Sequence, residues 1–197
     1  PMNSSAASDV YKRQELNMEV GFFTMPIHPL DKDYRKTLAE DREAFLLADE
    51  IGFSEAYCGE HYTDAAENIT SSTVFIASLA AATKNIRLGT GTVNLPNSHP
   101  AAVAGQIAML DHMLDGRLNF GISPGGLASD AEVFGNLEKN RNEMFVECID
   151  MVLEIWKRDA PYSIKGKYWE VTTEKTQMTD IGPVSYTHLT LPTSSWV

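Results

Sequence analysis

A chain of 197 residues, 43% hydrophobic and 22% charged, is long enough to bury one sizeable core and too apolar to be disordered throughout. Sixteen basic against 27 acidic residues give a formal net charge of -11, a field that repels polyanions and argues against nucleic acid as a partner. No apolar run approaches the roughly 20 residues that span a bilayer, and the start lacks the basic and apolar regions of a secretion signal, so a cytoplasmic location with no membrane partner is expected.

In chain order, residues 1–14 (PMNSSAASDVYKRQ) carry neither helical nor strand periodicity. A short strand is expected at 19–23 (EVGFF), closed by Thr24, Met25 and Pro26, with His28 and Pro29 in the following loop. A helix is predicted over 34–51, because Leu38, Phe45, Ala48 and Ile51 share a face and Gly52 follows as a stop. Residues 55–58 make a second strand, and after the loop GEHYTDAAEN the Ala-rich stretch 70–83 reads as a packed helix. A third strand falls at 87–90. The next helix begins just after Pro100, a good first-turn residue, and ends at Gly116, a left-handed stop. A fourth strand is expected at 118–122, and Met144, Cys148, Met151, Val152 and Ile155 mark a long fourth helix. Residues 184–197 (VSYTHLTLPTSSWV) again lack a pattern. Both tails resemble translated sequencing adapters, in which case the natural sequence is cut at both ends; the other reading is a flexible tail at each end. The patterned body is 15–183.

Strand and helix alternating at this spacing imply right-handed crossovers and a parallel sheet. A doubly wound sheet would place a glycine-rich phosphate loop after its first strand, but that loop here is TMPIHPLD. A (β/α)8 barrel spreads its chemistry over the loops at the carboxyl ends of its strands, and each such loop here is polar and distinctive. The expected fold is therefore an α/β barrel of the TIM type, represented by about its first four βα units.

The sharpest of those loops is GEHYTD at 59–64. An imidazole near its ordinary pKa of about 6.5 gives or takes a proton at neutral pH, which makes His61 the first choice for acid or base work; a loop histidine bonded to backbone is the plain alternative. Glu60 either orients that ring or forms a structural ion pair. No metal site is expected, since Glu60-His61 is not HExxH and His28, His99 and His112 offer no paired spacing with it. Cys58 and Cys148 read as thiols. Asn68-Ile69-Thr70 matches a glycosylation acceptor, idle without secretion. In LGTGTVNLP the glycines at 89 and 91 let a planar ligand approach backbone, or merely pack tightly. In GISPGGLASD, Ser129 and Asp130 are good helix caps, and the turn before them has amides for an anion. Arg117 precedes strand four on the opposite rim and reads as structural.

Taken in order, MPIHP, GEH, LGTGT, LPxxHP, LDHMLDGR and GISPGG resemble the bacterial luciferase-like monooxygenases, the limonene monooxygenase-like branch most of all, over about residues 18–183. The resemblance implies a barrel that takes FMN, reduced by a separate flavin reductase, and uses O2 to oxygenate a small organic substrate. It implies His61 as the catalytic histidine of an EHH pattern in which Tyr62 replaces the second histidine. Gly91 and Thr92 would lie against the flavin ring, through an unusual cis peptide, with Asn94 and Ser123 beside them; Pro124 stands where the luciferases proper carry an arginine. Met25, His28, Glu60 and Tyr62 would line the substrate pocket. Relatives pair through the helices after strands two and three, so a homodimer is implied, and the chain alone is expected to be inactive. F420-dependent hydride-transfer enzymes of the same fold, or a non-catalytic flavin-binding accessory subunit, are the alternatives.

Overall fold

The computed structural model describes residues 19–177; the tail segments 1–14 and 184–197 lie outside the described residues. The elements are β1 (Gly21–Thr24), α1 (Tyr34–Glu50), β2 (Glu55–Cys58), α2 (Ser72–Leu79), β3 (Arg87–Thr90), β4 (Val93–Asn94), a 3-10 turn (Leu95–Asn97), α3 (Pro100–Met113), β5 (Leu118–Asn119), β6 (Ile122–Ser123), α4 (Ala128–Val133), α5 (Arg141–Lys157), β7 (Ser163–Lys165) and β8 (Glu170–Thr172).

Four strands form one parallel sheet in the order β1-β2-β3-β5, with Gly21 opposite Glu55, Glu55 opposite Arg87, and Leu88 opposite Leu118. Strand order thus follows chain order without reversal. Ala56, Cys58 and Leu88 point to one face, where they join Phe45, Ile76, Leu79, Ile107 and Ile155 of the helices in a single core. Phe45 ties α1 to its neighbours through edge contacts with Phe22 at 5.3 Å and Phe75 at 5.2 Å. By the two-residue alternation of a strand, the next residues point the other way. There the Tyr57 hydroxyl donates to Glu55 at 2.9 Å, Asn119 donates to the Tyr57 oxygen at 2.9 Å, and Arg87 donates to Asn119 at 2.9 Å. Helices on one face and unreversed order give an arc of a barrel. A doubly wound sheet would cover both faces.

Local departures from the sequence reading have local causes. Strand β1 begins two residues later than expected and ends one residue later. Helix α2 is shorter, opening where the Ser71 hydroxyl accepts from the Val74 N–H. Helix α3 stops at Met113, and Asp115 and Gly116 both adopt positive φ, 53° and 74°. The expected single strand at 118–122 is two pieces, β5 and β6. The Thr90 hydroxyl donates to the Gly121 carbonyl at 2.7 Å and accepts from the Gly121 N–H at 2.9 Å, replacing ladder bonds by a side chain. A Cβ at position 121 would stand 2.1 Å from the Thr90 carbonyl oxygen, so the crossing requires glycine. Beyond it, β4 and β6 pair in parallel, Val93 opposite Ile122 and Asn94 opposite Ser123. Helix α4 and the antiparallel β7–β8 hairpin were not anticipated. Arg117 is structural, donating to the carbonyls of Ile86 at 2.8 Å and Thr83 at 3.2 Å.

Candidate active site

The carboxyl ends of β2 and β3 sit side by side because Cys58 is in register with Thr90. Glu60, two residues past β2, is buried and turned toward α2, accepting from the Ser72 N–H at 2.8 Å and hydroxyl at 2.6 Å. It anchors the start of α2 through both of those bonds. Burial pushes its carboxyl above the usual glutamate value, against those hydrogen bonds and the nearby His61.

His61 faces Asp130. Its Nδ1 is 3.1 Å from Asp130 Oδ2, and its Nε2 is 3.5 Å from Glu67 Oε2. The other Asp130 oxygen accepts from the Tyr62 N–H at 3.1 Å, the Thr63 N–H at 2.9 Å and the Thr63 hydroxyl at 2.6 Å. Burial raises the Asp130 carboxyl, but those bonds outweigh burial and hold it below the usual aspartate value. This corrects the reading of Asp130 as a helix cap. Leu127 occupies the N-cap of α4 without a side-chain bond, and Asp130 in the first turn serves the β2 loop instead. No local pattern reveals this, since 69 residues separate the partners.

The second half of the rim is a relay. The peptide between Gly91 and Thr92 is cis, as the resemblance implied. The Thr92 hydroxyl donates to Ser123 at 2.7 Å, and Ser123 donates to the Asn94 side-chain oxygen at 2.7 Å. Arg141, also missed from sequence, donates to the Gly125 carbonyl at 2.7 Å and so sets a cation beside that turn. Of the remaining expected pocket residues, Met25 packs its thioether onto Gly59. Tyr62 meets Phe134 edge-on at 4.7 Å. His28 places its Nε2 2.9 Å from Asp41 Oδ1 on α1 and so ties the loop after β1 to that helix.

His61, Thr92, Asn94 and Ser123 thus share one rim, held together by bonds from four separate segments. The luciferase-like monooxygenase family matches residues 18–187. The chain belongs to that family. Limonene 1,2-monooxygenase of Rhodococcus erythropolis is 36% identical over 135 residues, 68% of this chain and 35% of the relative. Among solved structures, the oxygenating constituent of 3,6-diketocamphane monooxygenase from Pseudomonas putida, in complex with FMN, matches with a TM-score of 0.78 and 29% identity over 85% of this chain and 48% of its own. An F420-dependent secondary alcohol dehydrogenase matches at 23% identity and a TM-score of 0.64, a likeness of fold alone. This luciferase-like chain spans less than half the length of these relatives. Among its described residues, no helix is long and apolar enough to cross a membrane.

Proposed function

We propose that this chain supplies the histidine half of a flavin-dependent monooxygenase site, which in the whole protein oxygenates a small organic substrate with O2 and with FMN reduced by a separate reductase. The observation that carries the reading is the His61–Asp130 pair on the same rim as the Thr92–Ser123–Asn94 relay.

The residues fit a planar ring with a polar edge. At Gly91 a Cβ would stand 2.8 Å from Phe23, so glycine lets that aromatic ring lie against the backbone at the end of β3. The relay spends its protons inward, from Thr92 to Ser123 to Asn94, which leaves the Thr92 oxygen as an acceptor for a ring N–H. Thr92, Asn94 and Ser123 would hold the ring edge. Reduced FMN, when bound, supplies the electrons that activate O2. His61, its ring fixed by Asp130, is the group that gives or takes the accompanying proton. Glu60, buried under the loop, fixes the height of His61 above the sheet; Met25 and the Tyr62–Phe134 pair close the rim against water.

The sheet of the described residues is an open arc of four strands, so we expect the 197-residue chain by itself to bind FMN weakly and to turn over nothing. A homodimer through α2 and α3 belongs to the same reading. The decisive experiment uses a full-length protein carrying this sequence, supplied with a flavin reductase, NADH and FMN, with O2 uptake and oxygenated product followed together. His61→Ala is expected to cut product formation by about 10²- to 10⁴-fold. Activity with F420 and none with FMN would instead mark a hydride-transfer enzyme. Activity of a partner unchanged by His61→Ala would mark an accessory subunit.

A further inference from the structure

We propose that Glu67 is a positioning residue for His61, holding the Nε2 edge of the imidazole while Asp130 holds the Nδ1 edge, so that the ring works between two carboxylates. This rests on the proton-handling role given to His61 above. The Nδ1 contact is a hydrogen bond of 3.1 Å, and on the opposite edge Nε2 lies 3.5 Å from Glu67 Oε2. That Glu67 oxygen is buried and has no hydrogen-bond partner. A buried carboxylate oxygen left without a donor is unfavourable, and the ion-pair partner the structure gives it is this imidazole. A small tilt of the ring, pivoting on Asp130, turns the contact into a hydrogen bond when Nε2 carries a proton.

Glu67 is held in place by backbone on both sides. Ile27 and Glu67 form an antiparallel bridge, and the His28 N–H donates to the Ala66 carbonyl at 2.9 Å, so the loop after β1 fixes the far side. The His61 N–H donates to the Ile69 carbonyl at 3.1 Å and closes the loop that carries both residues. Glu67 therefore reports the position of the β1 loop to the histidine. Among the described residues, Asp130 from α4, Glu67 from its own loop and Glu60 from the end of β2 place carboxylates near His61.

The test is NMR of the histidine ring protons in the whole 197-residue chain, with His61→Asn to assign the signal. Glu67→Gln is expected to speed solvent exchange of the His61 Nε2 proton about tenfold, with the His99 ring protons unchanged. Glu67→Asp should restore part of the protection. An unchanged exchange rate in a folded Glu67→Gln variant overturns the proposal. Should that variant fail to fold, the parent chain decides: a proton on Nε2 that exchanges more slowly than those of His99 supports the pairing, and one that exchanges as fast overturns it. Faster exchange in Glu67→Gln without FMN-dependent oxygen uptake in the full-length protein would defeat the flavin reading and leave Glu67 in its role; the converse result would do the opposite.

Discussion

Asp130 and Glu60 are carboxylates within one rim, driven in opposite directions by their surroundings. For Asp130, burial raises the carboxyl but hydrogen bonds from Thr63, His61 and the Tyr62 backbone overcome it, so the folded value is depressed. A depressed carboxylate stabilises the fold at pH values above its unfolded pKa, and that contribution is lost as pH falls through the folded value. Asp130→Asn, which discards the charge but keeps an acceptor, should therefore cost about 1–2 kcal/mol at neutral pH, and the gap to the parent should close as pH falls through the folded value. Glu60 is raised, chiefly by burial, so its contribution is complete below the usual glutamate value and is lost as pH rises through its folded value. Glu60→Gln should accordingly gain on the parent as pH climbs above about 4.5. Urea unfolding across that range measures both, and curves parallel at every pH would contradict the assignment. Cys148, pushed up to about 12 chiefly by burial, and Cys58, pushed higher still by the same cause, stay protonated and inert.

At the scale of elements, the third strand of the arc ends where a side chain takes over the hydrogen bonding of the ladder. Thr90 does so against Gly121, and this splits the fourth strand. Gly121→Ala would drive a methyl into the Thr90 carbonyl at 2.1 Å and should destabilise the chain by about 2–4 kcal/mol, lowering the urea midpoint and releasing the rim. Ser71→Ala removes the α2 cap and should cost about 1 kcal/mol, since Glu60 still holds Ser72. A larger loss from Ser71→Ala than from Gly121→Ala would mean that the helix start, not the strand crossing, sets the site. The periodic helices were legible: α1 ends within one residue of the expected position because Phe45 and Ala48 repeat on its buried face. The strand break was not, because it depends on a hydroxyl 31 residues away.

At the scale of the molecule, the described sheet offers β1 and β5 as its edges, and Phe23 stands 59% exposed on the face away from the helices. Those features match an arc of a barrel. On the outer side, Val74 of α2 and Met109 of α3 are 70% and 57% exposed, large apolar side chains on the two helices through which we propose pairing. Val74→Glu combined with Met109→Glu should convert a dimeric full-length protein to a monomer in light scattering. A mass unchanged by both charges would place the interface elsewhere.

The sequence alone determined the βα alternation, the parallel arc and the loops of interest, because hydrophobic period and glycine punctuation act over a few residues. It also carried the family, through the order of GEH, LGTGT and GISPGG. Tertiary structure alone decided what the side chains do. Asp130 reaches His61 and not its own helix, His28 meets Asp41, and Glu67 arrives beside Nε2. A buried carboxylate satisfies its oxygens with whatever donors the packed chain brings within about 3 Å, and that neighbourhood is set by folding rather than by position along the chain.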